Sequence, residues 1–358
     1  MRTFVSVLVG LFGIAWVVFG DDQSTVFVSG QDGYACYRIP AIVKAGSGNL
    51  IAFAEGRVNG CSDTGDIDLV MKRSVDLGKS WGPLSVVASD AVNTCGNPVP
   101  IVERRSGVIV LVFTKNPGDA HESAILKGEA PPRSVWVTKS VDDGVTWSTP
   151  REISEQVRRP EFRWYATGPG HGIQLEDGTL IAPANHSNSP EHVDWHSHVI
   201  RSVDGGETWS LGGIAEGKTN ESTVAELADG RLYLNMRSYH GEHRRYSAVS
   251  MDQGVTWGPI RQEAELVEPV CQGSVLAVSE RTVLLFSNPA SEKRESMTIH
   301  ISRDQGARWR KMRPQWAGPS AYSDLVEIEP KLVGCLYECG DAGPYERIVL
   351  DRVVLDKR

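Results

Sequence analysis

Short segments in which apolar and polar residues alternate occur along most of the chain. Examples are "VWVTKS" (135–140), "SHVIRS" (197–202) and "MTIHIS" (297–302). An alternation with a period of two is typical of β-strands, because successive side chains of a strand point to opposite faces of the sheet. No stretch shows sustained helical periodicity. The pattern therefore predicts an all-β protein.

A short motif recurs five times between these segments. Its first copy is "SVDLGKSW" (74–81), and the other copies occupy 140–147, 202–209, 250–257 and 302–309. In each copy the Asp can accept hydrogen bonds from nearby amides, the Gly supplies a positive φ and the Trp packs as a rigid plug. Repeats of about 50 residues with turn and aromatic signatures predict the blades of a β-propeller.

The aspartates of the repeats are interpreted as structural. Five equivalent copies do not suit a single active site, and one carboxylate per turn is too few for a calcium site. The five residues are Asp76, Asp142, Asp204, Asp252 and Asp304.

The composition is that of an ordinary globular protein, with 358 residues, 41% hydrophobic residues and a formal net charge of −8. This charge argues against nucleic acid or an anionic membrane as the main partner. A local cluster of arginines could still bind a small anion.

The first twenty residues, "MRTFVSVLVGLFGIAWVVFG", consist of Arg2 and then an uncharged apolar run. The run is shorter than the ~20 residues that a spanning helix needs. It predicts a signal peptide over 1–20, with an uncleaved anchor helix as the alternative. The mature chain, 21–358, is then expected to be a secreted single domain without stable membrane insertion.

An oxidising compartment would allow disulfides. The chain has an even number of cysteines, which leaves the pairing open: Cys36, Cys61, Cys95, Cys271, Cys335 and Cys339. The Cys335/Cys339 spacing is not a zinc pattern. Sequons for N-glycosylation occur at Asn185 and Asn220.

The residues outside the repeats carry a resemblance to a known family. "YRIP" (37–40), followed by the first repeat, resembles the opening of exo-α-sialidases of glycoside hydrolase family 33. The repeat itself resembles the Asp box of sialidases, which other propellers also contain. The resemblance extends over essentially the whole mature chain and implies a six-bladed β-propeller. Since only five Asp boxes are visible, at least one blade must lack the motif.

The resemblance implies a clamp of three arginines for the carboxylate of sialic acid. The first is Arg38, the second is Arg237 in "NESTVAELADGRLYLNMRSY", and the third is Arg294 in "FSNPASEKRESMTIHIS". Lys293 is a weaker match, because a bidentate carboxylate contact requires guanidinium geometry. In the family a glutamate, here Glu338 in "GCLYECG", pairs with the first arginine.

The catalytic residues implied by the resemblance are Tyr322, Glu221 and Asp63. A carboxylate nucleophile would be repelled by the substrate carboxylate, and sialidases use a Tyr nucleophile instead. Glu221 would activate Tyr322, whose phenol has an ordinary pKa near ~10. Asp63, preferred over Asp66 and Asp68, would protonate the leaving oxygen and later activate water, with retention of configuration.

Other residues near the expected sugar site have weaker signals. By resemblance Arg57 would contact a ring substituent, and Asn97 in "CGNPVP" stands where many relatives have an aspartate near the N-acetyl pocket.

The segment "RPEFRWYATGPGHGIQL" places Trp164, Tyr165, Gly168 and Gly170 as candidates to line the sugar site, with a packed strand and turn as the alternative. In "EHVDWHSHVIRS", His196 and His198 share a strand face near His192 and Asp194. A metal site there is conceivable, but a contact at the substrate rim or a structural role is favoured.

The leading hypothesis is a secreted exo-α-sialidase acting on terminal sialic acid of glycoproteins, glycolipids or oligosaccharides. The alternatives are a trans-sialidase or a sialidase that releases an anhydro product, and a non-catalytic sialic-acid-binding propeller. The lectin would be expected to lose Asp63, Glu221 or Tyr322, which this chain retains. No metal or organic cofactor is implied, the expected partners are sialylated glycans rather than nucleic acid, and a monomer is expected.

Overall fold

The computed structural model describes residues 22–191, 194–278 and 281–355, which form sheets that are antiparallel apart from one parallel pairing between the first two blades, together with two short helices. The predicted signal peptide at 1–20 and His192 lie outside the described residues. None of the helices in the described ranges is long and apolar enough to cross a membrane.

The strands form consecutive groups, each of which is one blade of a propeller. The first strand, β1 (Gln23–Val28), belongs to the last blade. The first blade contains β2 (Cys36–Lys44), β3 (Leu50–Arg57), β4 (Ile67–Ser74) and β5 (Ser85–Ala88). The second contains β6 (Thr94–Val102), β7 (Ile109–Asn116), β8 (Ser134–Ser140) and β9 (Arg151–Glu152). Helix α1 (Glu122–Lys127) connects β7 to β8, and α2 (Ser154–Val157) follows β9.

The third blade has an interrupted inner strand. Both β10 (Trp164–Thr167) and β11 (Ile173–Gln174) pair with β12 (Leu180–Ser187), which is followed by β13 (Trp195–Ser202) and β14 (Ser210–Ile214). The fourth blade contains β15 (Thr219–Glu226), β16 (Leu232–Ser238), β17 (Arg244–Ser250) and β18 (Arg261–Val267).

The last two blades share one long strand, β22 (Arg310–Glu329). Its first half pairs with β21 (Glu295–Ser302), next to β20 (Val283–Pro289) and β19 (Ser274–Val278), and completes the fifth blade. Its second half is the inner strand of the sixth blade, with β23 (Leu332–Cys339), β24 (Arg347–Val354) and then β1. The prediction of a six-bladed all-β propeller is confirmed.

The hydrophobic core lies between the faces of neighbouring blades. All eight residues of β3 are buried, as is typical of a strand that is covered on both faces. The clusters join residues of adjacent blades; one, for example, packs Ile42 and Ala52 of the first blade against Leu336 and Leu350 of the sixth. The blades are therefore held as a ring by apolar packing as well as by their sheets.

The five Asp boxes form equivalent turns between the third and fourth strands of blades one to five. In the first, Asp76 accepts hydrogen bonds from the Ser80 amide at 2.9 Å and from the Ser74 hydroxyl at 2.7 Å. Gly78 has a φ of 82°, as the turn requires. These bonds lower the pKa of Asp76 to about 2. The structural interpretation of these aspartates agrees with this geometry.

The sixth blade lacks the motif for a topological reason. Its third strand, β24, and its outer strand, β1, come from opposite ends of the described chain, so no turn connects them. Ring closure thus removes the place where a sixth Asp box would stand.

Candidate active site

A cavity of about 560 Å³ opens at the end of the propeller opposite the Asp-box turns. Of the ten site residues predicted from the sequence, eight line it: Arg38, Arg57, Asp63, Asn97, Glu221, Arg237, Arg294 and Tyr322. Glu338 lies directly behind Arg38, and Tyr165 lies elsewhere. Residues up to 284 positions apart in sequence are thereby brought to one site.

Local irregularities of the inner strands expose these side chains to the cavity. The register shifts by one residue between Arg38 and Ala41 in β2, and similarly at 96–99 in β6, 219–222 in β15 and 320–323 in β22. Such β-bulges re-aim side chains and are frequent at active sites. Arg38, Asn97, Glu221 and Tyr322 each lie within or beside one of them.

The three predicted clamp arginines surround the Tyr322 ring. The guanidinium carbons of Arg38 and Arg294 lie 5.1 Å and 5.6 Å from the ring centroid, and Nη1 of Arg237 lies 3.4 Å from the Tyr322 hydroxyl. Arg294 also donates to the Tyr345 hydroxyl at 2.5 Å. Within the described ranges no carboxylate lies within salt-bridge distance of Arg294. The group therefore retains positive charge for an anionic ligand.

Glu338 binds both Arg38 and the backbone of Tyr322. One carboxylate oxygen accepts from Arg38 Nε and from the Ile39 amide, each at 2.8 Å, and the other accepts from the Tyr322 amide at 3.0 Å. Glu338 is fully buried, and its charge raises the pKa of Arg38 although burial alone would lower it. The pairing inferred from the resemblance is present in the structure.

Tyr322 and Glu221 are joined by a short hydrogen bond. The Tyr322 hydroxyl donates to Glu221 Oε1 at 2.5 Å, and Arg237 donates to Glu221 Oε2 at 2.8 Å. Burial and then the neighbouring Glu221 charge raise the pKa of Tyr322 well above its usual value. The phenol is accordingly neutral in this state and already in contact with a carboxylate that can accept its proton.

Asp63 faces the cavity from the loop between β3 and β4. Its Oδ1 lies 2.8 Å from Arg57 Nη1 and 3.7 Å from Arg38 Nη1. The Asp63 side chain is 79% exposed. The cavity wall desolvates its carboxyl in part, which tends to raise the pKa, but Arg57 and Arg38 outweigh this effect and lower the pKa below its usual value. Of the two competing aspartates, Asp68 instead accepts a hydrogen bond from the Tyr34 hydroxyl.

A disulfide between Cys36 and Cys61 attaches this loop to the strand of Arg38. The other four cysteines are free and buried: Cys95, Cys271, Cys335 and Cys339. The bridge is the pairing that the sequence left open, and it constrains Asp63 two residues further along the chain.

The cavity also contains polar residues that the sequence reasoning missed. Glu55 is buried, accepts from Arg57 at 2.6 Å and accepts the Asn97 amide at 2.8 Å. Arg133 is buried, donates to the Asn97 side chain at 2.9 Å, and burial lowers its pKa to about 10. Glu55 could have been found, because it lies two positions before Arg57 on the same face of a buried strand; Arg133 follows a loop and carries no such signal.

An aromatic wall completes the cavity on the side of the third blade. The rings of Trp164 and Trp195 are 6.3 Å apart, and Trp195 packs edge-on against Tyr239 at 5.9 Å. Trp164 was a candidate from the sequence, whereas Trp195 was passed over in favour of the neighbouring histidines. Glu122 of α1 faces the same cavity, and desolvation raises its pKa despite Arg237 nearby.

The placement of Tyr165 has to be corrected. Trp164 and Tyr165 are adjacent on β10, so their side chains point to opposite faces of the strand. Trp164 faces the cavity, while Tyr165 is fully buried in the core with its hydroxyl 2.9 Å from His198 Nε2. Gly168 and Gly170 do not line the cavity either.

The histidines form a packed cluster. His186 and His198 approach each other at 3.0 Å between their Nδ1 atoms, and burial lowers the pKa of His198 to about 3. His196 stacks on His186. In the part of the chain that the structure describes, no group of three or more His, Cys, Asp or Glu residues is arranged to hold a metal ion.

Both sequons lie inside the protein. Asn185 is fully buried under the cavity, and the side-chain amide of Asn220, which is also buried, donates to the Tyr239 hydroxyl at 2.8 Å. Neither side chain is accessible to a glycosyltransferase in the folded protein.

Comparison with known proteins agrees with this architecture. Residues 48–334 match the family described as BNR repeat-like domain. A sialidase of Bacteroides fragilis is 31% identical over 338 residues, which are 87% of this chain and 61% of the relative. Bovine Sialidase-3 is 30% identical, with 89% of this chain and 90% of the relative covered. The chain thus spans less than two thirds of the Bacteroides relative but most of the bovine one.

A solved structure shows the same fold. A Hadza microbial sialidase superposes with a TM-score of 0.83 at 32% identity, covering 93% of this chain and 68% of the other.

Proposed function

The chain belongs to the sialidase family of glycoside hydrolases, and on that premise we propose that it removes terminal α-linked sialic acid from glycans. The observation that carries the proposal is the contact between the Tyr322 hydroxyl and Glu221 at 2.5 Å, within a ring of three arginines. An anionic sugar is the substrate class that needs both a carboxylate clamp and a nucleophile without a charge.

The first step forms a covalent bond to the enzyme. Arg38, Arg237 and Arg294 bind the carboxylate and hold the anomeric carbon near Tyr322. Tyr322 transfers its proton to Glu221 as its oxygen attacks that carbon. Asp63, when protonated, gives a proton to the glycosidic oxygen, and the bond to the leaving sugar breaks.

The second step releases the product. Asp63, now ionised, takes a proton from a water molecule that attacks the anomeric carbon, and Glu221 returns the proton to the Tyr322 oxygen. Two inversions give net retention of configuration. Tyr322 and Glu221 exchange one proton, and the proton that Asp63 gives to the leaving oxygen is replaced from the attacking water.

We also propose that the protein is secreted and acts on glycoproteins, glycolipids or oligosaccharides as a monomer. The apolar segment at 1–20 and the Cys36–Cys61 disulfide support the secretory route, because disulfides persist in oxidising compartments. The cavity opens at the end of the propeller, which suits a terminal sugar with its aglycone outside.

The proposal is tested with a fluorogenic α-sialoside. We expect turnover by the wild type, a loss of at least ~10³-fold in kcat for Tyr322→Phe, and retained binding of free sialic acid by that variant. Asp63→Ala should lose activity on poor leaving groups more than on the fluorogenic one. Wild-type protein that binds sialic acid without turnover between pH 4 and 8 would instead be a lectin. NMR of the products distinguishes hydrolysis from transfer and from release of an anhydro sugar.

A further inference from the structure

The bulge in β22 places Tyr322 outside the regular strand. Ser320 pairs with Cys339 and Ser323 with Tyr337, so three steps along β22 match two steps along β23. The extra residue leaves backbone groups without strand partners, which is costly in a buried position unless side chains replace them. Tyr322 and Ser323 are buried. What satisfies their backbone groups also determines where the Tyr322 hydroxyl lies.

The side chain of Gln272 binds both backbone groups of Ser323, the residue at which the bulge ends. The Ser323 amide donates to Gln272 Oε1 at 3.0 Å, and Gln272 Nε2 donates to the Ser323 carbonyl at 2.9 Å. The same Nε2 donates to the Pro169 carbonyl at 3.1 Å, which connects the bulge to the third blade. Gln272 is 1% exposed and does not line the cavity, so it acts on the backbone and not on the sugar.

The residues on either side of Gln272 contact the same segment. Cys271 belongs to the small apolar cluster that contains Tyr322, and the Ser274 hydroxyl donates to Asp324 at 2.7 Å. The segment 271–274 therefore contacts Tyr322 through Cys271, the backbone of Ser323 through Gln272, and Asp324 through Ser274.

Asp324 fixes the strand just below the bulge. Its fully buried carboxylate accepts the amides of Ile42 at 2.8 Å and His171 at 3.0 Å, besides the Ser274 hydroxyl. These donors come from the first, third and fifth blades. Asp324 thus anchors the strand that follows the bulge, and the Gln272 side chain binds the backbone at the bulge itself.

We propose that Gln272 is a positioning residue that aligns Tyr322 with Glu221 and the anomeric carbon. The inference rests on the proposed function of Tyr322 as nucleophile. A displacement of about 1 Å at a reacting atom can cost about 10²-fold in rate. Gln272 does not line the cavity, and its hydrogen bonds among the described residues go to Ser323 and Pro169 and not to a clamp arginine. Its loss should therefore affect kcat and leave carboxylate binding intact.

The first test replaces Gln272 by a residue of similar length without hydrogen-bonding groups. Gln272→Met should lower kcat by about 10- to 100-fold on a fluorogenic α-sialoside, with KM and the inhibition constant of free sialic acid changed by less than about threefold. The matched control is Glu263→Gln, which removes a buried charge on β18, the outer strand of the fourth blade, where it contacts Tyr233 and Ser247. This control should lose stability without losing kcat.

The second test is Gln272→Glu, read as a pH profile. A protonated carboxyl keeps the acceptor for the Ser323 amide and one donor for the Ser323 carbonyl, and loses only the second donation, to Pro169. The ionised form instead turns a negative oxygen toward both carbonyls. The ratio of variant to wild-type kcat should therefore be highest at low pH and fall as pH rises. A purely structural role would give a ratio that does not change with pH.

The outcomes separate the two proposals. Absence of turnover by the wild type overturns the function itself. Turnover by the wild type together with an unchanged kcat of folded Gln272→Met, or with a pH-independent ratio for Gln272→Glu, overturns the role of Gln272. If Gln272→Met does not fold, the Gln272→Glu profile alone decides.

Discussion

Asp63 has a pKa that must change when substrate binds. In the free protein Arg57 and Arg38 lower the pKa of its carboxyl, which favours the ionised form, although the proposed acid must be protonated. A substrate carboxylate on Arg38 adds negative charge beside Asp63 and therefore raises its pKa in the complex.

Because the pKa of Asp63 differs between the free protein and the complex, kcat and kcat/KM should decline at different pH values. Activity declines as pH rises through the pKa of the acid, so the alkaline limb of kcat, which reports the complex, should lie at higher pH than that of kcat/KM, which reports the free protein. Arg57→Met should move the limb of kcat/KM to higher pH because it removes the nearest cation. Full pH profiles of both proteins check this; coincident limbs in the wild type would contradict the assigned electrostatics.

The buried pair of Glu338 and Arg38 leads to a prediction about stability. The Glu338 side chain is fully buried and that of Arg38 is 5% exposed, so removing the carboxylate charge leaves a buried cation without its nearest counterion and with only the exposed Asp63 at 3.7 Å. We expect Glu338→Gln to lower the free energy of unfolding by about 3 kcal/mol and to weaken binding of sialic acid. Denaturant unfolding measures the first effect and calorimetric titration the second.

An exposed pair serves as the control for Glu338. Glu207 pairs with Lys139 at the surface, where such contacts contribute less than about 1 kcal/mol. Glu207→Gln should be close to wild type in both measurements. Equal effects of Glu207→Gln and Glu338→Gln would contradict the prediction that the buried pair contributes more than the exposed one.

At the scale of elements, the structures predicted most reliably were those that a few neighbouring residues determine by themselves. The Asp-Gly-Trp turns follow from hydrogen bonds between near neighbours, such as Asp76 with Ser80, and all five formed where predicted. The bulges depend on pairing between distant strands, and an alternating pattern does not reveal them. Trp164 and Tyr165 could not be told apart for another reason: the alternation does not say which face of β10 meets the cavity. Arg133 follows a loop, and Trp195 was passed over for the neighbouring histidines, so neither was found.

The disulfide gives a prediction for the loop 58–66. The bond between Cys36 and Cys61 closes a loop with a sequence separation of 25 residues and holds Asp63 beside Arg38. Reduction should lower kcat several-fold and stability by about 3 kcal/mol, while the propeller stays folded. Activity with and without dithiothreitol, together with circular dichroism, measures both.

The double variant Cys36→Ser/Cys61→Ser isolates this effect. It should resemble the reduced wild type and no longer respond to reductant, because the other cysteines are buried and free. A response that persists in the double variant would assign the redox effect to a different site.

At the scale of the whole molecule, ring closure joins the two ends of the described chain. β1 pairs with β24 from Gln23 to Val28, and Phe27 is fully buried against Tyr37 with ring centroids 5.1 Å apart. The blades share their core at every interface, so loosening the closing strand should weaken the ring as a unit. We expect Phe27→Ala to lower the free energy of unfolding by about 3–5 kcal/mol, with a single cooperative transition retained.

The control is Thr25→Ala, at an exposed position of the same strand, which should have almost no effect. Calorimetry of both variants tests this: a separate early transition for Phe27→Ala, with the main transition unmoved, would mean that the first five blades are stable without closure.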